Sequence, residues 1–129
     1  MTAPTEPAPP GLLLSDDLIF ASRITGTARG LGLEVRQVRG AGPLAETAGK
    51  VGTRCVIVDL AYPGLDLPDL LRRLGEVCDP PPRVVAYGSH VDAAALHAAR
   101  EAGCRPTLPR SKFVEDLPRE LPTWLAGPE

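Results

Sequence analysis

Cysteine is scarce in these 129 residues. Cys55, Cys78 and Cys104 stand far apart, with no C-x-x-C pair, and neither His90 nor His97 is spaced with them as zinc ligands are. An odd, scattered set reads as three reduced, mostly buried thiols in a cytoplasmic protein, not as a disulfide frame, a zinc site or a thiol nucleophile. Aromatics are fewer still: one tryptophan, two tyrosines and two phenylalanines. Neither sign of charge dominates, since 14 Lys and Arg face 16 Asp and Glu for a formal net charge of −2. A chain with so few rings and no basic excess lacks the footprint for binding nucleic acid. No apolar run approaches the ~18–20 residues needed to span a bilayer. The opening stretch also lacks the basic-then-apolar order of a signal peptide. Missing too is any phosphate cradle of the form G-x-G-x-x-G or G-x-x-x-x-G-K-[ST]. Gly26, Gly30 and Gly32 fall near the end of a helical pattern instead, which weighs against a small-molecule carrier of flavodoxin type.

What is present is an ordinary globular mixture, 43% hydrophobic and 23% charged, in a length that suits one domain able to bury its own core. Residues 1–10, MTAPTEPAPP, hold four prolines and read as a flexible, polyproline-like lead to a single domain over 11–129.

From Gly11 onward apolar runs and helical periods alternate. Leu12, Leu13 and Leu14 form a short buried strand that stops at Ser15-Asp16-Asp17. Ala21, Ile24, Ala28 and Leu31 then mark one helical face. Residues 33–38 alternate with period two, as a half-exposed strand at or near a sheet edge does. Leu44, Ala45, Ala48 and Val51 define a second helix. Cys55-Val56-Ile57-Val58 is the most continuous β-branched run and ends on Asp59, as a central strand covered on both faces would. A third helix carries Leu67, Leu70, Leu71, Leu74 and Val77. A fourth strand runs over residues 83–87, an alanine-rich helix over 91–102 and a weak fifth strand over 106–108. Pro118 and Pro122 interrupt the last apolar helical face, and an interior proline costs about 3 kcal/mol, so a short, kinked or broken helix is expected there. Five strand–helix units in strict alternation predict an α/β three-layer sandwich with a parallel sheet and right-handed crossovers.

In such a sheet the functional crevice lies beyond the carboxyl ends of the strands. Asp16 and Asp17 end the first strand, Asp59 ends the third, Ser89 and His90 follow the fourth, and Arg110, Ser111 and Lys112 follow the fifth. In the strand order 2-1-3-4-5 the first and third strands are neighbours, so the three carboxylates are expected to converge. Converging carboxylates require a compensating proton or cation, and hard oxygen ligands suit Mg²⁺. One of Asp16 and Asp17 is equally well placed to N-cap the first helix. His90 reads as a loop or capping residue, and His97 as surface or packing.

These residues resemble the receiver domains of two-component response regulators, over about residues 11–117. The resemblance rests on the acidic pair Asp16-Asp17 followed by Ile24, on the segment VIVDLAYPGLD over residues 56–66, and on AREAGC over residues 99–104. It implies a flavodoxin-like (βα)5 fold with Asp59 as phosphoacceptor. It also implies a Mg²⁺ ion held by Asp16, Asp17, Asp59 and the backbone carbonyl of Ala61. Two positions depart from the family's pattern. Counting back from Gly103 puts Gly88 where a Thr or Ser is expected, with Ser89 one position late, and a one-residue slip on a strand turns a side chain to the other face. Arg110-Ser111 stands where Lys-Pro is expected, and a forked guanidinium is a poor stand-in for a compact ammonium.

The expectation is therefore an atypical receiver that works in signal transduction as a protein-binding module, not a turnover enzyme. Its partner would be a histidine kinase or a downstream regulator, with a homodimer possible. The alternatives are a receiver phosphorylated on Asp59 with Mg²⁺, and a small-molecule-binding flavodoxin-like protein. The face built from the fourth helix, the fifth strand and the proline-broken last helix is the expected partner surface.

Overall fold

The chain was described from a computed structural model covering residues 8–128; most of the expected flexible lead, residues 1–7, lies outside the described residues. Pro10 is already part of the fold, because its carbonyl accepts a 2.7 Å hydrogen bond from the Thr53 hydroxyl.

Five strands and five helices alternate: β1 (Gly11–Leu14), α1 (Leu18–Gly30), β2 (Val35–Val38), α2 (Ala41–Val51), β3 (Cys55–Asp59), α3 (Leu67–Val77), β4 (Arg83–Gly88), α4 (Ala93–Glu101), β5 (Thr107–Pro109) and α5 (Arg110–Leu125). All strand pairs are parallel and the order is β2-β1-β3-β4-β5. This is the expected flavodoxin-like (βα)5 sandwich, with β2 at one edge.

Side-chain alternation along the central strands sorts the core into two layers. Leu13, Ile57, Val85 and Tyr87 face α1 and α5, while Leu12, Leu14, Val56, Val58, Val84 and Ala86 face α2, α3 and α4. Both faces are covered, which is why β1 and β3 read as unbroken apolar runs. The aromatics concentrate in the first layer: Phe20 lies 4.9 Å from Tyr87, Tyr87 lies 4.6 Å from Phe113, and Phe113 stacks on Trp124 at 5.5 Å.

The last helix corrects the expectation of a short or broken element. α5 runs unbroken through 16 residues with Pro118 and Pro122 inside it. Both prolines lie on the exposed face, whereas Phe113, Leu117, Leu121, Trp124 and Leu125 are buried against the sheet. The apolar stripe holds the helix together through both prolines. On α4 only Leu96 and Ala99 are buried, and most of its alanines face outward.

Candidate functional site

β3 carries Asp59 to the carboxyl rim of the sheet, where it is only 4% exposed. Strand alternation turns it to the same side as Ile57, toward α1 and α5. Both of its oxygens are engaged: Oδ1 accepts from the Ala61 backbone N–H at 2.9 Å, and Oδ2 accepts from the Ser15 hydroxyl at 3.1 Å. A buried carboxylate needs such partners.

Ser15 is the residue that sequence reasoning missed. It follows β1, is fully buried, and sits one step beyond the Leu14–Val58 pair. Its hydroxyl also accepts from the Asp17 N–H at 3.1 Å, and its carbonyl accepts from the Gln37 side chain of β2 at 2.8 Å. Three elements thus hold a hydroxyl, not an acid, beside Asp59. Period-two alternation carries the signal: Ser15 shares the parity of Leu13, whose face is the one Asp59 occupies.

The acidic pair after Ser15 points elsewhere. Asp17 is the N-cap of α1, its side chain accepting from the Phe20 N–H at 3.0 Å. Asp16 is exposed and lies 4.0 Å from the guanidinium of Arg39. Among the described residues no group of three or more His, Cys, Asp and Glu side chains is gathered that could hold a metal ion. Asp16, Asp17 and Asp59 thus do not form a three-carboxylate metal group, and Ala61 meets Asp59 through its N–H. A Mg²⁺ ion needs several converging hard oxygens with room for its waters, so the residues present do not fit it.

Tyr87 is a second residue the sequence did not single out. It pairs with Asp59 in the β3–β4 register and is fully buried. Its hydroxyl makes no hydrogen bond of good geometry, although Ser15, Asp59, Arg110 and Asp17 all lie within electrostatic reach. Burial, with the Asp59 charge adding to it, pushes the phenol well above its ordinary range. Tyr87 therefore remains a proton donor beside the carboxylate.

Gly88 ends β4, paired with Pro109 of β5. A Cβ placed on it would meet Leu60 Cβ and Cδ1, each at 3.3 Å. Leu60, from the loop that follows Asp59, thus fills the space where a switching hydroxyl would stand. Ser89 does not substitute for it, because its hydroxyl accepts from the Val91 N–H in the β4–α4 turn. Arg110 opens α5 with its guanidinium 5.5 Å from the Phe20 ring centroid, and it makes no ion pair with Asp59. Cys55 and Cys104 are buried, and burial pushes their thiols up to about 12 and about 11, which leaves them unreactive.

This architecture has known counterparts. The chain superimposes on a protein assigned as a response regulator in Chloroflexus aurantiacus with a TM-score of 0.74 and 25% identity, covering 92% of this chain and 98% of that one. The receiver domain of NtrX from Brucella abortus matches with a TM-score of 0.75 at 19% identity, over 90% of this chain and 98% of its own. The receiver domain of Saccharomyces cerevisiae Ssk1, solved together with the histidine phosphotransfer signalling protein Ypd1, matches with a TM-score of 0.73 at 14% identity, over 94% and 92%. The fold is the receiver fold. No protein-family model matches the sequence, and comparison with curated proteins found no match.

Proposed function

We propose that this chain is an atypical receiver acting in two-component signal transduction as a protein-binding module. Its phosphoacceptor position, Asp59, is kept, and its switching parts are altered. One observation carries the reading: the buried Asp59 carboxylate is satisfied from within the chain by Ser15 and Ala61. Its hydrogen bonds are complete without an ion. With Leu60 against Gly88, the end of β4 offers no side-chain hydroxyl to report a phosphoryl group. In this reading the module is cytoplasmic and works by contact, not by turnover; no helix among the described residues is long and apolar enough to cross a membrane.

The partner surface we infer is the carboxyl rim. Leu18, Ile19 and Val91 are 61%, 86% and 78% exposed, and all three stand there, on the start of α1 and the loop after β4. Exposed large apolar side chains grouped at one end mark an interaction site. The structural likeness to Ssk1, solved with Ypd1, supports a histidine phosphotransfer protein or kinase as the partner class.

The test is calorimetric binding of a histidine phosphotransfer protein to the wild type and to Asp59→Asn, with and without Mg²⁺. Equal affinities in all four cases are expected. Strict dependence on Mg²⁺, or loss of binding in Asp59→Asn, would overturn the reading.

A second reading is favoured by the placement of Asp59 at the end of β3. In it an Asp59 oxygen attacks a phosphorus atom, and the leaving group departs with its bonding electron pair. That oxygen must first give up Ser15 or the Ala61 N–H. Mass spectrometry after exposure to a small acyl phosphate separates the two readings.

A further inference from the structure

We propose that the groove between the start of α1 and the start of α5 binds a small organic anion, one with a phosphate-class head on a flat apolar body. The proposal goes beyond the reading above and does not depend on it, since neither Mg²⁺ nor a phosphoryl group on Asp59 enters. The groove has a volume of about 630 Å³, within the range of small-molecule sites.

Its polar side is cationic. Arg23 of α1 and Arg110 of α5 line it, and no Asp or Glu does. Neither arginine is ion-paired among the described residues, and Arg110 Nε is buried with no hydrogen-bond partner. Arg110 as a whole is half-buried, and its charge lies along the groove with no carboxylate in the lining; an incoming anion would supply the counter-charge. Ser89 and Ser111 add hydroxyl groups to the same wall. α5 begins there without a side-chain cap, so no side chain satisfies its first N–H groups.

The rest of the lining is apolar, from Ile19 and Phe20 of α1 and Val114 of α5. Phe20 does double duty, because the Arg110 guanidinium packs over its ring at 5.5 Å and is thereby held at the groove. A bare inorganic anion would satisfy the two guanidinium groups and leave the apolar lining wet. An uncharged ring would cover that lining and leave the cations unpaired. Only a ligand with both parts answers both.

The experiment is a ¹⁵N NMR titration of the full chain with phenyl phosphate, with inorganic phosphate and phenol as the single-feature probes. Saturable shifts at the amides of Ser89, Ser111 and Lys112 are expected, with phenyl phosphate binding at least tenfold more tightly than either probe. Arg23→Gln, a change at an exposed position, should weaken binding about tenfold, the loss expected for one charge-assisted contact. Arg110→Gln should do the same, and Arg105→Gln, at the opposite rim, should change nothing. Shifts that do not saturate, or that survive both groove substitutions, overturn the proposal. So does a groove that takes up a protein partner but not phenyl phosphate. The Asp59 labelling and partner-binding experiments read a residue outside the groove lining and a different ligand, so their failure is separate from this one.

Discussion

The Ser15 hydroxyl donates to Asp59 Oδ2 at 3.1 Å, across the seam where β1 and β3 run side by side. This bond joins residues 44 positions apart and closes the acidic pocket on itself. Removing the hydroxyl leaves a buried carboxylate oxygen short of a donor. Ser15→Ala is expected to lower unfolding stability by about 1–3 kcal/mol, measured by urea denaturation. A loss indistinguishable from zero would mean that Asp59 does not rely on Ser15.

Gly88 and Leu60 form the second close relationship at the rim, with only 3.3 Å available to an added Cβ. Gly88→Thr should cost about 1–3 kcal/mol through overpacking. Combining it with Leu60→Ala should recover part of that loss, a coupling that appears as non-additivity in a double-mutant cycle. Strict additivity would show that the two side chains do not compete for the same space.

The two prolines of α5 lie on its exposed face and remove backbone bonds without ending the helix. Pro118→Ala should therefore stabilise the fold, by about 1–3 kcal/mol if the restored bond is fully formed. Thermal unfolding reads this directly, and a lower Tm would contradict it.

Alkaline pH should weaken the fold through its buried thiols. Cys55 and Cys104 ionise near 9.0 when unfolded, but burial pushes them up to about 12 and about 11 in the folded chain. The folded state then holds protons that the unfolded state has lost. This stabilisation is fully present below pH 9 and disappears as pH rises toward the folded values. Each thiol adds a slope of up to about 1.4 kcal/mol per pH unit in that window. Cys55→Ala should flatten the decline in unfolding free energy above pH 9; the slope is the readout, because the substitution also opens a cavity. An unchanged slope would contradict the assignment.

Most of the scaffold was legible because both faces of the sheet are covered, which turns β1 and β3 into continuous apolar runs and each helix into a clear stripe. Asp59 was legible for the same reason, as an acid at the end of an apolar strand. α5 was misread because proline cost was weighed locally, whereas five buried side chains on one stripe outweigh two exposed backbone breaks. The acidic rim was misread for a different reason. Asp16 and Asp17 draw attention by their charge, yet a helix start captures Asp17 as its cap and a neighbouring Arg39 faces Asp16. The residue that completes the pocket, Ser15, is uncharged and precedes them by one step. Tyr87 hid in an aliphatic strand whose ring-packing partners come from helices distant in sequence.

The most direct measurement is a Mg²⁺ titration followed through the backbone amides of Asp59, Leu60 and Ala61, on the wild type and on Ser15→Asp. If Ser15 has replaced the ion as the partner of Asp59, the wild type shows no saturable shift at millimolar Mg²⁺. Ser15→Asp, which sets a second carboxylate against the first, acquires one. Saturable Mg²⁺ binding by the wild type that is lost in Asp59→Asn would contradict the self-satisfied pocket on which the functional reading rests.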